Sequence, residues 1–195
     1  MQTHTRTSIK QFYQHSAIIL TSTVLLTLPS FASAEITLDN TQKVSVEYMT
    51  GTADMHGVRI AYRPNITHQF DLPVVGETSI EWEGSLNLFD LHGSAKNEAT
   101  YGISISPVLM TAIPSVSENY PLHAEFGIGV AYVHRKKFGG VNIGSYYQFE
   151  DRIGVVMDID KNKQLALRYI HYSNGGLNTK NPGLDFLSLA YVHSF

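Results

Sequence analysis

The chain predicts an all-β fold, an eight-stranded antiparallel transmembrane β-barrel, and three observations carry that reading. Eight segments alternate apolar and polar side chains with a period of two, the spacing at which successive side chains leave opposite faces of a strand. A basic, then apolar, N-terminal stretch marks the chain for export. Aromatic residues, among them 11 tyrosines and 9 phenylalanines, recur near the segment ends as an interfacial girdle requires, and the final strand ends on Phe195.

Residues 1–34 read as a cleaved signal peptide. Arg6 and Lys10 supply the basic start, Ser16 to Leu28 the apolar run, and Ala32-Ser33-Ala34 a small-residue cleavage site. The apolar run is shorter than the roughly 20 residues that a spanning helix needs. Residues 35–195 suit a single domain, the barrel itself. The absence of cysteine excludes disulfides and a lipid-modified cysteine anchor, and a net charge of −3 argues against general nucleic-acid binding.

The segments follow one another in order. Val44, Val46 and Tyr48 alternate with Ser45 and Glu47, and Val58, Ile60 and Tyr62 with Arg59 and Arg63, up to Pro64. In the third, Ile80, Trp82, Leu86 and Leu88 oppose Glu81, Glu83, Ser85 and Asn87; in the fourth, Tyr101, Ile103, Ile105 and Leu109 oppose Gly102, Ser104 and Ser106. The fifth sets Leu122, Ala124, Phe126, Ile128, Val130 and Tyr132 against His123, Glu125, Gly127, Gly129 and Ala131. The sixth sets Tyr147, Phe149, Ile153 and Val155 against Gln148, Glu150, Arg152 and Gly154. Asp151 interrupts its apolar face, which predicts a bulge or a local partner. Leu165, Leu167, Tyr169, His171 and Ser173 share one face of the seventh, and Asp185, Leu187, Leu189, Tyr191, His193 and Phe195 one face of the eighth.

Alternation alone also fits a soluble sandwich. The long strands, their even number and the export signal favour the barrel. Eight strands leave an interior that side chains can fill. The inward set Glu47, Arg59, Arg63, Glu81, Glu83, Glu125, Glu150, Arg152 and Arg168 would then pair within a plugged lumen. With both ends on the periplasmic side, Gly51 to His56, His92 to Glu98, Arg135 to Gly144 and Asn174 to Gly183 become outer loops.

His171, Ser173 and Asp185 therefore share the greasiest face of the sheet, an unusual place for three polar groups. A serine becomes nucleophilic when a neighbouring base takes its proton and an acid orients that base. His171 and Ser173 project side by side, and a residue of the eighth strand directly opposite His171 lies about 5 Å away. If Asp185 is that residue, the imidazole sits between acid and nucleophile. On a lipid-facing wall, such a set suits an enzyme acting on lipid. Taken by itself, H-x-S is equally an interfacial polar pair.

The string His171-Tyr172-Ser173-Asn174-Gly175-Gly176, followed by Asn181-Pro182-Gly183, resembles the lipid A 3-O-deacylase (PagL) family of eight-stranded outer-membrane barrels. The resemblance is richest over Arg168 to Phe195 and looser over the rest of the mature chain. It implies Ser173 as nucleophile, His171 as base and Asp185 as acid, with Asn174, Asn181 and Pro182 shaping the site. The family usually carries glutamate where this chain has Asp185, one methylene shorter. Asn174, Asn181 and the Gly175 and Gly176 amides are the candidate oxyanion donors. The implied reaction is hydrolysis of the ester-linked 3-hydroxyacyl chain at position 3 of lipid A, in the outer membrane of a Gram-negative cell.

Other signals are weaker. The patterns G-x-S-x-G and H-E-x-x-H are missing from the sequence, and the nine histidines show no metal-ligand spacing, so neither metal nor cofactor is expected. Arg135, Lys136 and Lys137, behind His134, read either as a solvated loop or as a contact for lipid phosphates. The partners implied are lipopolysaccharide and outer-membrane lipid, with a homodimer left open and no nucleic acid. Two rival functions stay open at this point: a non-enzymatic barrel that binds through its outer loops or stabilises the membrane, and an outer-membrane phospholipase.

Overall fold

The computed structural model describes residues 35–37, 41–73, 75–91 and 99–195. The predicted signal peptide and the predicted outer loop His92 to Glu98 lie outside them. Twelve strands follow in chain order: β1 (Glu35–Thr37), β2 (Lys43–Gly51), β3 (Met55–Arg63), β4 (Thr67–Leu72), β5 (Gly76–Phe89), β6 (Thr100–Ile113), β7 (Leu122–Val133), β8 (Lys137–Phe138), β9 (Val141–Asn142), β10 (Tyr147–Asp160), β11 (Lys163–Ser173) and β12 (Leu184–Ser194). Antiparallel ladders run β5-β3-β2-β12-β11-β10-β7-β6, and the β5–β6 ladder closes the ring. β4 continues the position of β3: Gly57 to Tyr62 pair with one half of β5 and Thr67 to Leu72 with the other. β1 runs along β4. The result is the predicted closed, eight-stranded antiparallel barrel. Gln42 and Phe195 exchange two backbone hydrogen bonds of 3.0 and 2.9 Å, so both ends of the barrel chain meet at one rim.

The faces separate as the alternation predicts. Ile153 and Leu189 are each 60% exposed, whereas Glu47, Arg59, Glu125, Glu150 and Arg168 are each 1% exposed. This inverts a soluble protein and is what a hydrocarbon solvent demands. All nine inward charges named above are buried. Arg59 meets Glu47 at 2.8 Å, Arg63 meets Glu83 at 2.7 Å and Glu125 at 2.8 Å, and Arg168 meets Glu47 at 2.7 Å and Glu125 at 2.8 Å. A charge stripped of water is tolerated only when paired and hydrogen-bonded; each of the four arginines meets at least one glutamate, although Arg59 Nε and Arg152 Nε and Nη2 find no hydrogen bond among the described residues. The middle of the lumen is filled, and a cavity of about 270 Å³ opens beyond it at the end lined by Lys43, Glu81 and His123.

Towards the outer rim the interior turns apolar. Met49, Met55, Phe89, Phe138, Ile143, Tyr172, Leu184 and Phe186 form one buried cluster. Phe138 and Ile143 come from the segment expected to be a plain outer loop. It instead holds the β8–β9 hairpin, which folds back over the barrel mouth.

One strand was not expected, and two further expectations need correction. The second segment does end at Pro64, with β3 stopping at Arg63, since proline has no N–H for the ladder; the unexpected strand is β4, which resumes the wall after residues 64–66. The turn expected over Gly51 to His56 narrows to Thr52–Asp54, since Gly51, Met55 and His56 all lie in strands. No bulge occurs at Asp151: the register runs unbroken through Asp151↔Ile128 on one side and Asp151↔His171 on the other. The charge that interrupts the apolar face stands directly opposite His171 of β11.

Candidate active site

The site is built on the outer ends of β11 and β12. Their register sets His171 opposite Asp185 and Tyr169 opposite Leu187, so the polar residues land on the lipid-facing side by strand period alone. The imidazole Nδ1 lies 2.7 Å from Asp185 Oδ1. The shorter acid therefore reaches its histidine. With Nδ1 engaged there, Nε2 is the ring nitrogen left for a proton from another group. Ser173 follows two residues along the same face, half-buried, opposite Phe149 of β10. No hydrogen bond joins its hydroxyl to His171. The structure thus pairs Asp185 with His171 and sets Ser173 two residues further along the same strand face, with no hydrogen bond to either.

Two neighbours that sequence reasoning missed fix the acid. Asp185 N–H donates to Thr52 Oγ1 at 2.8 Å, and the same hydroxyl donates back to the Asp185 carbonyl at 3.3 Å. Thr52 thereby ties the first residues of β12 to the β2–β3 turn. Gly51 makes that approach feasible, since a Cβ there would lie 1.8 Å from the Asp185 carbonyl oxygen. The second neighbour is Tyr169, whose hydroxyl donates to Asp185 Oδ1. Its place two residues before His171 on one face was the available signal.

The loop Asn174 to Gly183 is ordered by one side chain. Asn174 is 1% exposed. Its Nδ2 donates to the carbonyls of Lys180 (2.7 Å) and Ile143 (3.1 Å), and its Oδ1 accepts the Gly176 (3.1 Å) and Asn178 (3.4 Å) amides. Its own N–H donates to Asn181 Oδ1 at 2.9 Å. Asn174 is thus spent on structure, bridging this loop to the β8–β9 hairpin. The Gly176 amide is engaged as well. Of the four oxyanion candidates, the Gly175 N–H and the Asn181 side-chain amide keep a donor without a partner among the described residues. Pro182 is exposed beside Gly183, which adopts φ +74°. A Cβ on Gly183 would lie 2.9 Å from His171 Cε1, so bare backbone forms one wall of the imidazole's seat.

Behind the site, Tyr172 points inward between His171 and Ser173 and donates to Glu150 Oε2 at 2.9 Å. In front, Asp151 shares the lipid face with His171, so carboxylates flank the imidazole on both adjoining strands. Arg135, Lys136 and Lys137 sit where the hairpin leaves β7, with the Lys136 ammonium 4.5 Å over the Tyr146 ring.

Comparison with known proteins places the chain in a family. The chain is 38% identical over 73 residues to a lipid A deacylase PagL of Bordetella bronchiseptica, an alignment covering 37% of this chain and 41% of that protein. It is 26% identical over 164 residues to a lipid A deacylase PagL of Pseudomonas aeruginosa, covering 82% of this chain and 91% of the other. Among solved structures it resembles the outer membrane enzyme PagL, with a TM-score of 0.65 at 24% identity over 77% of this chain and 98% of that one. The model of the lipid A 3-O-deacylase (PagL) family matches residues 56–194, and with most of the barrel and all of the β11–β12 site inside that match, the chain belongs to this family of outer-membrane enzymes.

Proposed function

We propose that this chain is an outer-membrane serine esterase that hydrolyses the ester-linked 3-hydroxyacyl chain at position 3 of lipid A, with Ser173 as nucleophile, His171 as base and Asp185 as acid. The observation that carries the reading is the hydrogen bond between His171 and Asp185 on a lipid-facing wall, with a serine next in line on the same face. An acid and a histidine exposed to hydrocarbon are costly, and a relay that works on lipid accounts for their presence there.

The chemistry follows from the geometry. His171 Nε2 takes the Ser173 proton as Oγ attacks the ester carbonyl, and Asp185 stabilises the imidazolium that forms. Asp151, on the adjoining strand, adds a second negative charge beside it. The Gly175 amide and the Asn181 side chain are the donors free to meet the oxyanion. Collapse of the tetrahedral intermediate expels the sugar oxygen, which takes the proton from His171. A water, deprotonated by the same imidazole, then releases the hydroxy fatty acid and regenerates Ser173. Arg135, Lys136 and Lys137 at the outer rim suit the phosphates of lipid A, which lie at headgroup depth.

The test is the mass spectrum of lipid A from cells expressing the wild type or Ser173→Ala. The expected result is loss of one 3-hydroxyacyl group with the wild type alone, from barrels that are equally folded and heat-modifiable. An unchanged lipid A with the wild type, or full deacylation by Ser173→Ala, overturns the assignment. Release from phospholipid vesicles in place of purified lipid A would reassign the substrate.

A further inference from the structure

Asp185 Oδ1 receives two donors: the His171 ring at 2.7 Å and the Tyr169 hydroxyl at 2.5 Å. Among the described residues its carboxylate meets no other. Tyr169 stands diagonally across the β11–β12 ladder from Asp185, being paired in register with Leu187. Such diagonal neighbours lie about 7–8 Å apart, a span that an aromatic side chain can cross. A tyrosine of an interfacial girdle turns its hydroxyl to headgroup water. This one turns along the wall to a carboxylate.

We infer that Tyr169 is a positioning residue that holds the Asp185 carboxylate in place for His171. The inference rests on Asp185 being the acid of the proposed relay. An aspartate on the lipid face has only a short side chain, and Thr52 restrains its backbone alone. Without the tyrosine, the carboxylate would be fixed only by the imidazole that it has to orient. A second donor also lowers the cost of a charge facing hydrocarbon.

Tyr169→Phe removes the hydroxyl and keeps the ring, so wall packing and girdle are retained. Steady-state release of 3-hydroxy fatty acid from purified lipid A is compared for the wild type, Tyr169→Phe, Asp185→Asn and the double variant. Tyr191→Phe, elsewhere on the lipid face of β12, is the control. Loss of one hydrogen bond to a charged group predicts that kcat of Tyr169→Phe falls about tenfold, with KM unchanged. Because Tyr169 acts through Asp185, the double variant should lose no more than Asp185→Asn alone. The His171 ring nitrogen resonances of the folded protein in micelles should shift in Tyr169→Phe and stay put in Tyr191→Phe.

Wild-type kcat in Tyr169→Phe, losses that multiply in the double variant, or a change in KM alone would each overturn the inference and leave the deacylase reading standing. A wild-type protein that releases no hydroxy fatty acid overturns both.

Discussion

The His171 ring and the Asp185 carboxylate meet at 2.7 Å across the β11–β12 ladder, in directly opposed positions of the register. Neighbouring strand positions on one face are set by backbone pairing, so the contact is built into the sheet and does not wait on a mobile loop. In the proposed relay the acid would hold the proton on Nδ1 and leave Nε2 free to accept one. Asp185→Asn keeps the shape, offers its amide in place of a carboxylate oxygen and favours the wrong tautomer. Turnover is expected to drop by ~10³-fold or more, the order seen when a relay acid is neutralised. Release assays on a barrel of unchanged heat-modifiability check this, and near-normal turnover would pass the orienting role to another group.

Gly183 offers a second and more local prediction. Its φ of +74° and the 2.9 Å approach of a would-be Cβ to His171 Cε1 penalise any side chain twice. Backbone strain in Gly183→Ala costs on the order of 1–3 kcal/mol, which a closed barrel tolerates. The imidazole, by contrast, must move away from the incoming methyl. Activity should therefore fall much further than stability. Unfolding midpoint in urea and rate of fatty acid release, measured on one preparation, separate the two effects.

Asn174 predicts a different pattern. Its side chain joins Lys180, Ile143, Gly176 and Asn178, so Asn174→Ala frees the loop and the hairpin from each other at once. The Lys180 carbonyl would lose that donor, while the Ile143 carbonyl keeps the Ser145 N–H at 2.9 Å. Protease nicking within residues 174–183 should accelerate while the barrel strands stay protected. Intact protection of that loop would assign its order to some other contact.

Most of the barrel was legible because hydrocarbon forces a strict division of faces. Glu47, Arg59 and Arg168 on one side and Val46, Ile60 and Leu167 on the other leave one way to orient each strand, and the register that opposes His171 to Asp185 follows. What escaped sequence reading has no period. Thr67 to Leu72 is too mixed in polarity to announce a strand after Pro64. The β8–β9 hairpin has strands of only two residues and starts at the end of a basic run, and only Phe138 and Ile143 hint that it is buried. The bond from Tyr169 to Asp185 and the hold of Thr52 on the start of β12 depend on side-chain reach across a ladder, which alternation does not encode.

The cationic outer loop tests substrate recognition. Replacing Arg135, Lys136 and Lys137 together by alanine should raise KM for bisphosphorylated lipid A and leave kcat unchanged. The wild type's preference for that substrate over dephosphorylated lipid A should shrink in the variant and with added salt, as screening predicts. Equal KM values for wild type and variant would return these residues to the role of a solvated loop.

Glu83 shows how far the lumen constrains the wall that carries the site. It meets Arg59 at 2.5 Å, Arg63 at 2.7 Å and Arg152 at 2.7 Å, more arginines than any other acid of the network engages so closely. Arg152 depends on it most: its Nη2 has no hydrogen-bond partner among the described residues, and its Nε lies 3.1 Å from Glu125 Oε1 without hydrogen-bond geometry. Glu83→Gln removes a buried charge and leaves three guanidinium groups short of an anion. Breaking one partner of a buried pair costs about 3–5 kcal/mol, and a shared partner belongs at the upper end of that range. Glu83→Met/Arg152→Met removes charge of both signs and should recover part of the loss, since apolar replacement of a buried pair is often neutral or better. Urea midpoints of the two variants decide the matter. A Glu83→Gln barrel as stable as the wild type would mean that water enters the lumen and solvates the arginines there.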